Sequence, residues 1–338
     1  MERSSLNLPG QLLLGAVALV AAACLPLASP GATAMNIAIL TLLFAGLSQA
    51  WNILGGYCGQ VSLGHAVYFG IGAYGSTLLA TRLGGSAWLG MAAGGAAAGI
   101  IAMLLGWPLF RLKGHYYVIA TIVVGEAALL LAQSWTWIGA TLGIYIPFEG
   151  DSWSDLQFQT AKLPFYLVAL GYVALLWTVT LLLDRGRLGH QWRAIKDNPE
   201  AARSLGVRIV SAKLAAAGLS GGFTGTGGAF YAHYVSYIDP ESVMNFQLSL
   251  MITLPAVLGG LGTLWGPVVG ALVLIPLSEL SRSYLGGTGQ GVDLIVYGTL
   301  ITGMSLLRPE GLTGLARALG RKAAARRRVP AVCEEGAR

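Results

Sequence analysis

From Ser86 to Leu109, and again from Leu163 to Leu183, the sequence runs without one charged side chain. Each run is about the length, roughly 20 residues, that an α-helix needs to cross the hydrocarbon of a bilayer. In lipid the backbone polar groups must be satisfied within the segment, so such runs fold as helices. The same pattern recurs along the chain, at residues 10–28, 33–54, 65–81, 86–109, 116–134, 164–183, 212–232, 246–260, 268–285 and 292–307. The expected fold is therefore all-α: a polytopic membrane helix bundle of about ten spans. Only 11% of the 338 residues are charged and 55% are hydrophobic, where soluble proteins carry about 25% charge.

The 48 glycines suit close helix packing in lipid. A net charge of +6 invites a nucleic-acid reading, but the basic residues sit between apolar runs and at the C-terminus, which is a topology signal. Cys24, Cys58 and Cys333 are far apart, show no metal-ligand spacing and are read as packing or tail residues. Ala32-Thr33-Ala34 imitates a signal-peptidase site, which leaves a cleaved signal peptide as the competing reading. The only basic residue ahead of the first run is Arg3, offset by Glu2, so a retained first span is expected.

Two stretches interrupt the apolar runs with glycine. Residues 55–75, GGYCGQVSLGHAVYFGIGAYG, are too polar for a lipid-facing helix, since Gln60, Ser62 and His65 each need a partner at membrane depth. A re-entrant bend leading into the third span is expected. His65 is read first as an interhelical hydrogen-bonder, with a place in a translocation path as the second reading. Glu126, in the middle of the fifth span, should face the bundle interior or stay protonated; it is either a functional acid or a helix–helix hydrogen bond. Gln60, Ser62, His65 and Glu126 are thus the candidates for a translocation path. A second glycine-rich hinge, 259–267, resembles the first in character, and such pairs can mark an internal repeat around a central pathway. Glu279 and Arg282 are spaced to pair on the ninth span.

The string Leu219-Ser220-Gly221-Gly222-Phe223 imitates the signature of ABC ATPases. It lies in an apolar run, and the chain has no G-x-x-x-x-G-K-[ST] loop, so it is read as a glycine packing motif and not as an ATP site.

The long polar island Asp184–Arg208 lies between the sixth and seventh spans. Asn198-Pro199-Glu200 reads as a helix start, with Asn as N-cap, Pro at the first helical position and Glu in the first turn. Gly206 closes that helix with positive φ. Ala201, Ala202 and Leu205 fall on one side, beside Glu200 and Arg203. A small smooth helix between two spans suits docking to another protein; an ordinary basic loop is the plainer alternative. Orientation follows from Lys and Arg: Arg185, Arg187, Arg193, Lys196, Arg203 and Arg208 in the island, and Arg321, Lys322, Arg326, Arg327 and Arg328 in the tail, point to the cytoplasm, as do Arg111 and Lys113. Loop 135–163, with Glu149, Asp151, Asp155 and the interfacial Trp135, Trp137 and Trp153, then faces outside, and both termini face in. The membrane domain is expected over 1–315, with a basic, disordered cytoplasmic tail over 316–338.

Glu200-Ala201-Ala202-x-x-x-Gly206 resembles the E-A-A-x-x-x-G loop by which ABC-importer permeases seat on their ATPases. Over about residues 35–315 the chain resembles the LivM-type permease subunits of branched-chain amino acid ABC importers. The matching stretches are 51–74, 111–131, RAIKDNPEAARSLGV at 193–207, GGAFYAH at 227–233, LGGLGTLWGPVVGA at 258–271 and LRPEGLTG at 307–314. The resemblance implies a non-catalytic subunit of the bacterial inner membrane, with no cofactor and no metal of its own, ATP being bound by partners. Those partners are a homologous second permease, two cytoplasmic ATPases and a periplasmic binding protein. It also implies ATP-driven alternating access, with Glu200, Ala201, Ala202 and Gly206 as the coupling contact and Arg193, Arg203 and Leu205 completing it. Branched-chain or related amino acids are the implied substrates; urea or short amides are the alternative. A proton- or sodium-driven carrier using Glu126 is the rival from another class. A membrane enzyme is disfavoured, because four scattered histidines show no metal spacing.

Overall fold

A computed structural model describes residues 31–112, 114–148, 150–158 and 162–284, together with 15, 22, 298, 299, 302 and 311–314. Nearly all of the expected first and tenth spans, Lys113, Glu149, Cys24, Cys333, the side chain of Arg282 and the basic tail lie outside the described residues.

The expected spans from the second to the ninth each correspond to a helix. Ala32–Asn52 is α1, which widens into a π-helical turn over Ile53–Tyr57. After a non-helical stretch come α2 (His65–Leu83), α3 (Ala87–Leu109) and α4 (His115–Ser134). Ser86 caps α3 by accepting from Leu89 N, and Gly84, at φ +58, ends α2 in the left-handed conformation. Leu163–Arg185 is α5, and the polar island holds a pair of helices, α6 (Arg187–Asp197) and α7 (Pro199–Ser204). Ile209–Val235 forms α8, longer than expected at both ends. The polar stretch after it is largely regular, with a strand at Tyr237–Ile238 and a short helix. Asp239 and Ser242 form a capping box on the short α9 (Pro240–Met244), and Asn245 caps α10 (Phe246–Gly259). Gly266–Tyr284 is α11.

Among the described residues, five helical stretches are long and apolar enough to cross a membrane: Ala32–Tyr57, Ala87–Leu109, His115–Ser134, Leu163–Arg185 and Pro240–Gly259. The centre of the bundle is α8, which packs chiefly on α2 and α3. Backbones touch there. A Cβ on Gly72 would stand 1.9 Å from the carbonyl oxygen of Gly225, and one on Gly228 would stand 2.0 Å from that of Phe69. Only glycine allows that approach, which explains the small-residue content of α2, α3 and α8. The LSGG string is part of this packing, with Gly221 against Ala98 and Ala102 of α3.

Loop 135–158 is tied to the far end of α8. Strand β1 (Ile144–Tyr145) pairs antiparallel with β2 (Tyr237–Ile238), and Ile146 N donates to Ser236 O at 2.9 Å. The near end of α8 meets the island, where Trp192 Nε1 donates to Ala212 O at 2.8 Å. At a rise of about 1.5 Å per residue α8 is about 40 Å long, so the island and the acidic, Trp-rich loop lie at opposite ends of the bundle. Trp135, Trp137 and Trp153 are all more than half exposed, as interfacial anchors should be.

Candidate coupling elbow and the glycine hinges beneath it

Helix α5 ends at Gly186, whose extended ψ of 174° breaks the helix and lets α6 turn back. Gly189 makes the turn possible: a Cβ there would lie 2.3 Å from Leu183 O. On α6 the inward positions are Gly189, Trp192 and Ile195, one turn apart, and Trp192 and Ile195 join Ile53, Leu54, Tyr57, Cys58, Ala212 and Ala216 in a second hydrophobic core. Arg193 forms an ion pair with Asp184 at the end of α5. The elbow is therefore packed onto the membrane helices by its own core.

At Asn198 the chain bends into α7 as expected. Asn198 Oδ1 accepts from Glu200 N at 3.0 Å and from Ala201 N at 3.1 Å, with Pro199 at the first helical position. Gly206 takes φ +83, and its N–H donates to Arg203 O at 2.9 Å. Of the expected docking face, Glu200, Ala201, Arg203, Leu205 and Gly206 are exposed, Leu205 at 83%. One assignment needs correction. Ala202 is 1% exposed, turned into the second core, because the six-residue helix lies on the bundle by that one small side. Arg193 pairs with Asp184 while its side chain stays 40% exposed.

Beneath the elbow the two glycine hinges meet. Asn52, fully buried, donates through Nδ2 to Thr263 O at 3.0 Å and accepts through Oδ1 from Gly262 N at 2.9 Å. A Cβ on Gly56 would lie 1.8 Å from that Oδ1, so the clasp needs glycine there. Lys196 completes the junction by donating from Nζ to Gly56 O at 2.7 Å. The sequence shows Lys196 only as one of the island's basic, cytoplasm-facing residues. In the structure it is half-buried, because it lies one turn beyond the inward Trp192. Burial lowers its pKa below the usual lysine value; Asp197 opposes that and Arg193 adds to it.

A second polar cluster lies deeper. His65 is fully buried, with Nδ1 3.2 Å from Ser62 Oγ and Nε2 2.9 Å from Ser220 Oγ. Trp51 Nε1 donates to Ser62 O at 2.7 Å, Leu63 N to Thr121 Oγ1 at 3.1 Å and Ala66 N to Ser249 Oγ at 2.9 Å. The stretch 58–66 is thus pinned by α1, α4, α8 and α10, and the interhelical reading of His65 and Ser62 is the one the geometry carries. Gln60 is half-buried, and its side chain reaches only Gly59 O, at 3.4 Å. Glu126 is exposed on the outer face of α4, so of its two expected settings the bundle interior is not the one it takes. The reason is rotational. Tyr117, Thr121, Leu129 and Ala132 form the buried side of α4, and Glu126 lies off it.

Asn52, Lys196, Trp192, Ser220 and Ser249 were missed by sequence reasoning. Asn52 carried a signal, an amide three residues before a Gly-Gly hinge in an apolar run; Ser220 and Ser249 carried none.

Comparison with known proteins agrees with this architecture. A family model described as the permease component of the branched-chain amino acid transport system matches residues 33–304. The high-affinity branched-chain amino acid transport system permease protein LivM of Escherichia coli strain K12 is 31% identical over 305 residues, covering 84% of this chain and 70% of the relative. LivH of Salmonella typhimurium strain LT2 is 22% identical over 289 residues, or 80% of this chain and 91% of the relative. The autoinducer 2 import system permease protein LsrC of Yersinia enterocolitica is 24% identical over 154 residues, 42% of this chain and 43% of the relative. No solved structure matches. The chain belongs to the family of permease components of branched-chain amino acid transport systems, the multi-pass inner-membrane permease subunits of ABC importers.

Proposed function

We propose that this permease moves branched-chain or closely related amino acids by ATP-driven alternating access. In this reading it crosses the membrane about ten times with both termini in the cytoplasm. It pairs with a homologous second permease, receives substrate from a periplasmic binding protein at loop 135–163, and rests on two cytoplasmic ATPases through the elbow. The observation that carries the reading is the elbow: a capped helix whose buried side fixes it to the bundle and whose opposite side presents Leu205 to solvent. An exposed leucine on an anchored basic elbow suits a protein partner. The LivM and LivH names of the relatives support the substrate class and a paired permease.

The outer side of α4 supports pairing as well. Tyr116, Ile119, Val123, Glu126 and Leu130 are exposed at alternating spacings of three and four, the stripe that one helix offers another. A carboxylate near the middle of a span costs about 3 kcal/mol against lipid, which favours a partner helix with a hydrogen-bond donor over lipid there. Reconstitution tests the whole reading. With the cognate ATPases and binding protein, vesicles should take up labelled leucine only when ATP is supplied, and excess urea should not compete. Uptake driven by a proton or sodium gradient without ATPases would sink it.

A further inference from the structure

We propose that Lys196 is the positioning residue that links the elbow to both glycine hinges, so that movement of α6 reaches residues 56–59 and 259–263 through its ammonium. The inference rests on the reading of the chain as an ATP-driven permease subunit. Three attachments of α6 are of different reach. Arg193 grips Asp184, nine positions back, and Trp192 Nε1 grips Ala212, 20 positions on, so both polar contacts tie the elbow to the helices that flank it in sequence, while the apolar Trp192 and Ile195 share a core with Ile53, Leu54, Tyr57 and Cys58. Lys196 reaches 140 positions back, to Gly56 at the end of the π-helical turn.

The slot it occupies is shaped for it. A Cβ on Gly59, at φ +74, would lie 3.0 Å from Lys196 Cγ, and one on Gly262, at φ +71, would lie 3.2 Å from Nζ. The stem therefore crosses one hinge and the ammonium rests against the other. Asn52 joins the two hinges directly beneath, so a pull on Gly56 is shared with Gly262 and Thr263. An ammonium offers three rotatable donors at one point, and its bond to a carbonyl survives a shift in direction that would break a planar fork. That suits a joint that moves. π-helical turns inside helices also recur at functional sites.

The test uses the full permease complex in vesicles, with Cys24 and Cys333 replaced by serine and Cys58 kept. Cys58 is fully buried beside Gly59 and reports on the hinge. In the unaltered joint, maleimide labelling of Cys58 should differ between the nucleotide-free and ATP-trapped states. Lys196→Met keeps the stem and removes the donor. It should co-purify with the ATPases and leave basal hydrolysis unchanged, yet lose the nucleotide dependence of Cys58 labelling and lower uptake per ATP about tenfold, an ordinary size for coupling between sites. Lys196→Arg should restore part of the uptake. Equal Cys58 labelling in the two states of the unaltered joint overturns the proposal whether or not Lys196→Met folds. So does Lys196→Met with normal uptake per ATP, and so does loss of ATPase association in that variant, which would put Lys196 in the docking surface instead. If the wild-type permease itself binds no ATPase, the functional reading fails, and the joint with it.

Discussion

Asn52 clasps Gly262 across 210 positions of sequence: its Oδ1 accepts from the Gly262 N–H at 2.9 Å while its Nδ2 donates to Thr263 O. One buried amide thereby fastens the first glycine hinge to the second. The resemblance in character between the two hinges has a physical counterpart, since they are two sides of one joint.

Replacing Asn52 with leucine would take a partner from the Gly262 N–H and the Thr263 carbonyl, both half-buried. Each lost hydrogen bond costs about 1 kcal/mol, more where the group is shut off from water. Asn52→Leu should lower the thermal unfolding midpoint of the purified permease in detergent by several degrees, and uptake should fall. Asn52→Asp keeps the acceptor for Gly262 but loses the donor to Thr263 and buries a charge, so it should be at least as damaging. A midpoint equal to wild type in both variants would contradict the clasp.

On α7, the inward and outward residues should separate stability from docking. Leu205→Ala and Arg203→Glu alter exposed side chains and should leave the unfolding midpoint unchanged while reducing ATPase co-purification. Ala202→Asp puts a charge into the second core, so it should destabilise the permease itself. Gly206→Val meets open space, and its penalty is the strain of φ +83, about 1–2 kcal/mol confined to the end of the helix. If Leu205→Ala, Arg203→Glu and Gly206→Val all retain full ATPase association, the elbow is only a basic loop.

Much of this was legible because membrane helices are governed by length and apolarity, which local sequence carries. The start of α7 was legible for a similar reason: Asn198-Pro199 and Gly206 act on their own backbone. What escaped was rotation about helix axes. Ala202 and Glu126 sit on helices whose existence was clear, but in a lipid-exposed bundle hydrophobicity does not separate inside from outside, so the buried side of α4 could not be read. The contact of Lys196 was not legible because a long stem can leave a charged head in a slot made by a distant glycine hinge. Such contacts are long-range and leave no local trace.

His65 tests the structural reading of the deeper cluster. Both ring nitrogens have hydroxyl neighbours, from Ser62 and Ser220, so the ring ties stretch 58–64 to α8. His65→Ala should lower the unfolding midpoint and the yield of folded permease, as should Ser220→Ala to a lesser degree. Uptake per folded molecule should fall much less than stability. If instead His65→Ala folds normally and transport alone collapses, the histidine belongs to the translocation path.

The exposed stripe on α4 tests pairing with the second permease. Tyr116, Ile119, Val123, Glu126 and Leu130 recur at alternating intervals of three and four along one exposed side, and Glu126 is the single acid among them. Lipid would accept the apolar members but not an isolated carboxylate. A hydrogen bond across helices in a membrane contributes about 0.6 kcal/mol, seldom above about 2, so Glu126→Leu should weaken assembly by a few-fold without abolishing it, and Glu126→Gln should be milder. Cysteines at Val123 and Leu130 should form disulfide cross-links with the second permease and be shielded from a lipid-soluble carbene label in the assembled complex. Efficient labelling of both positions in that complex would show that this side of α4 faces lipid. Cross-links confined to a single chain would show that another part of the permease covers it. Either result removes α4 from the subunit interface.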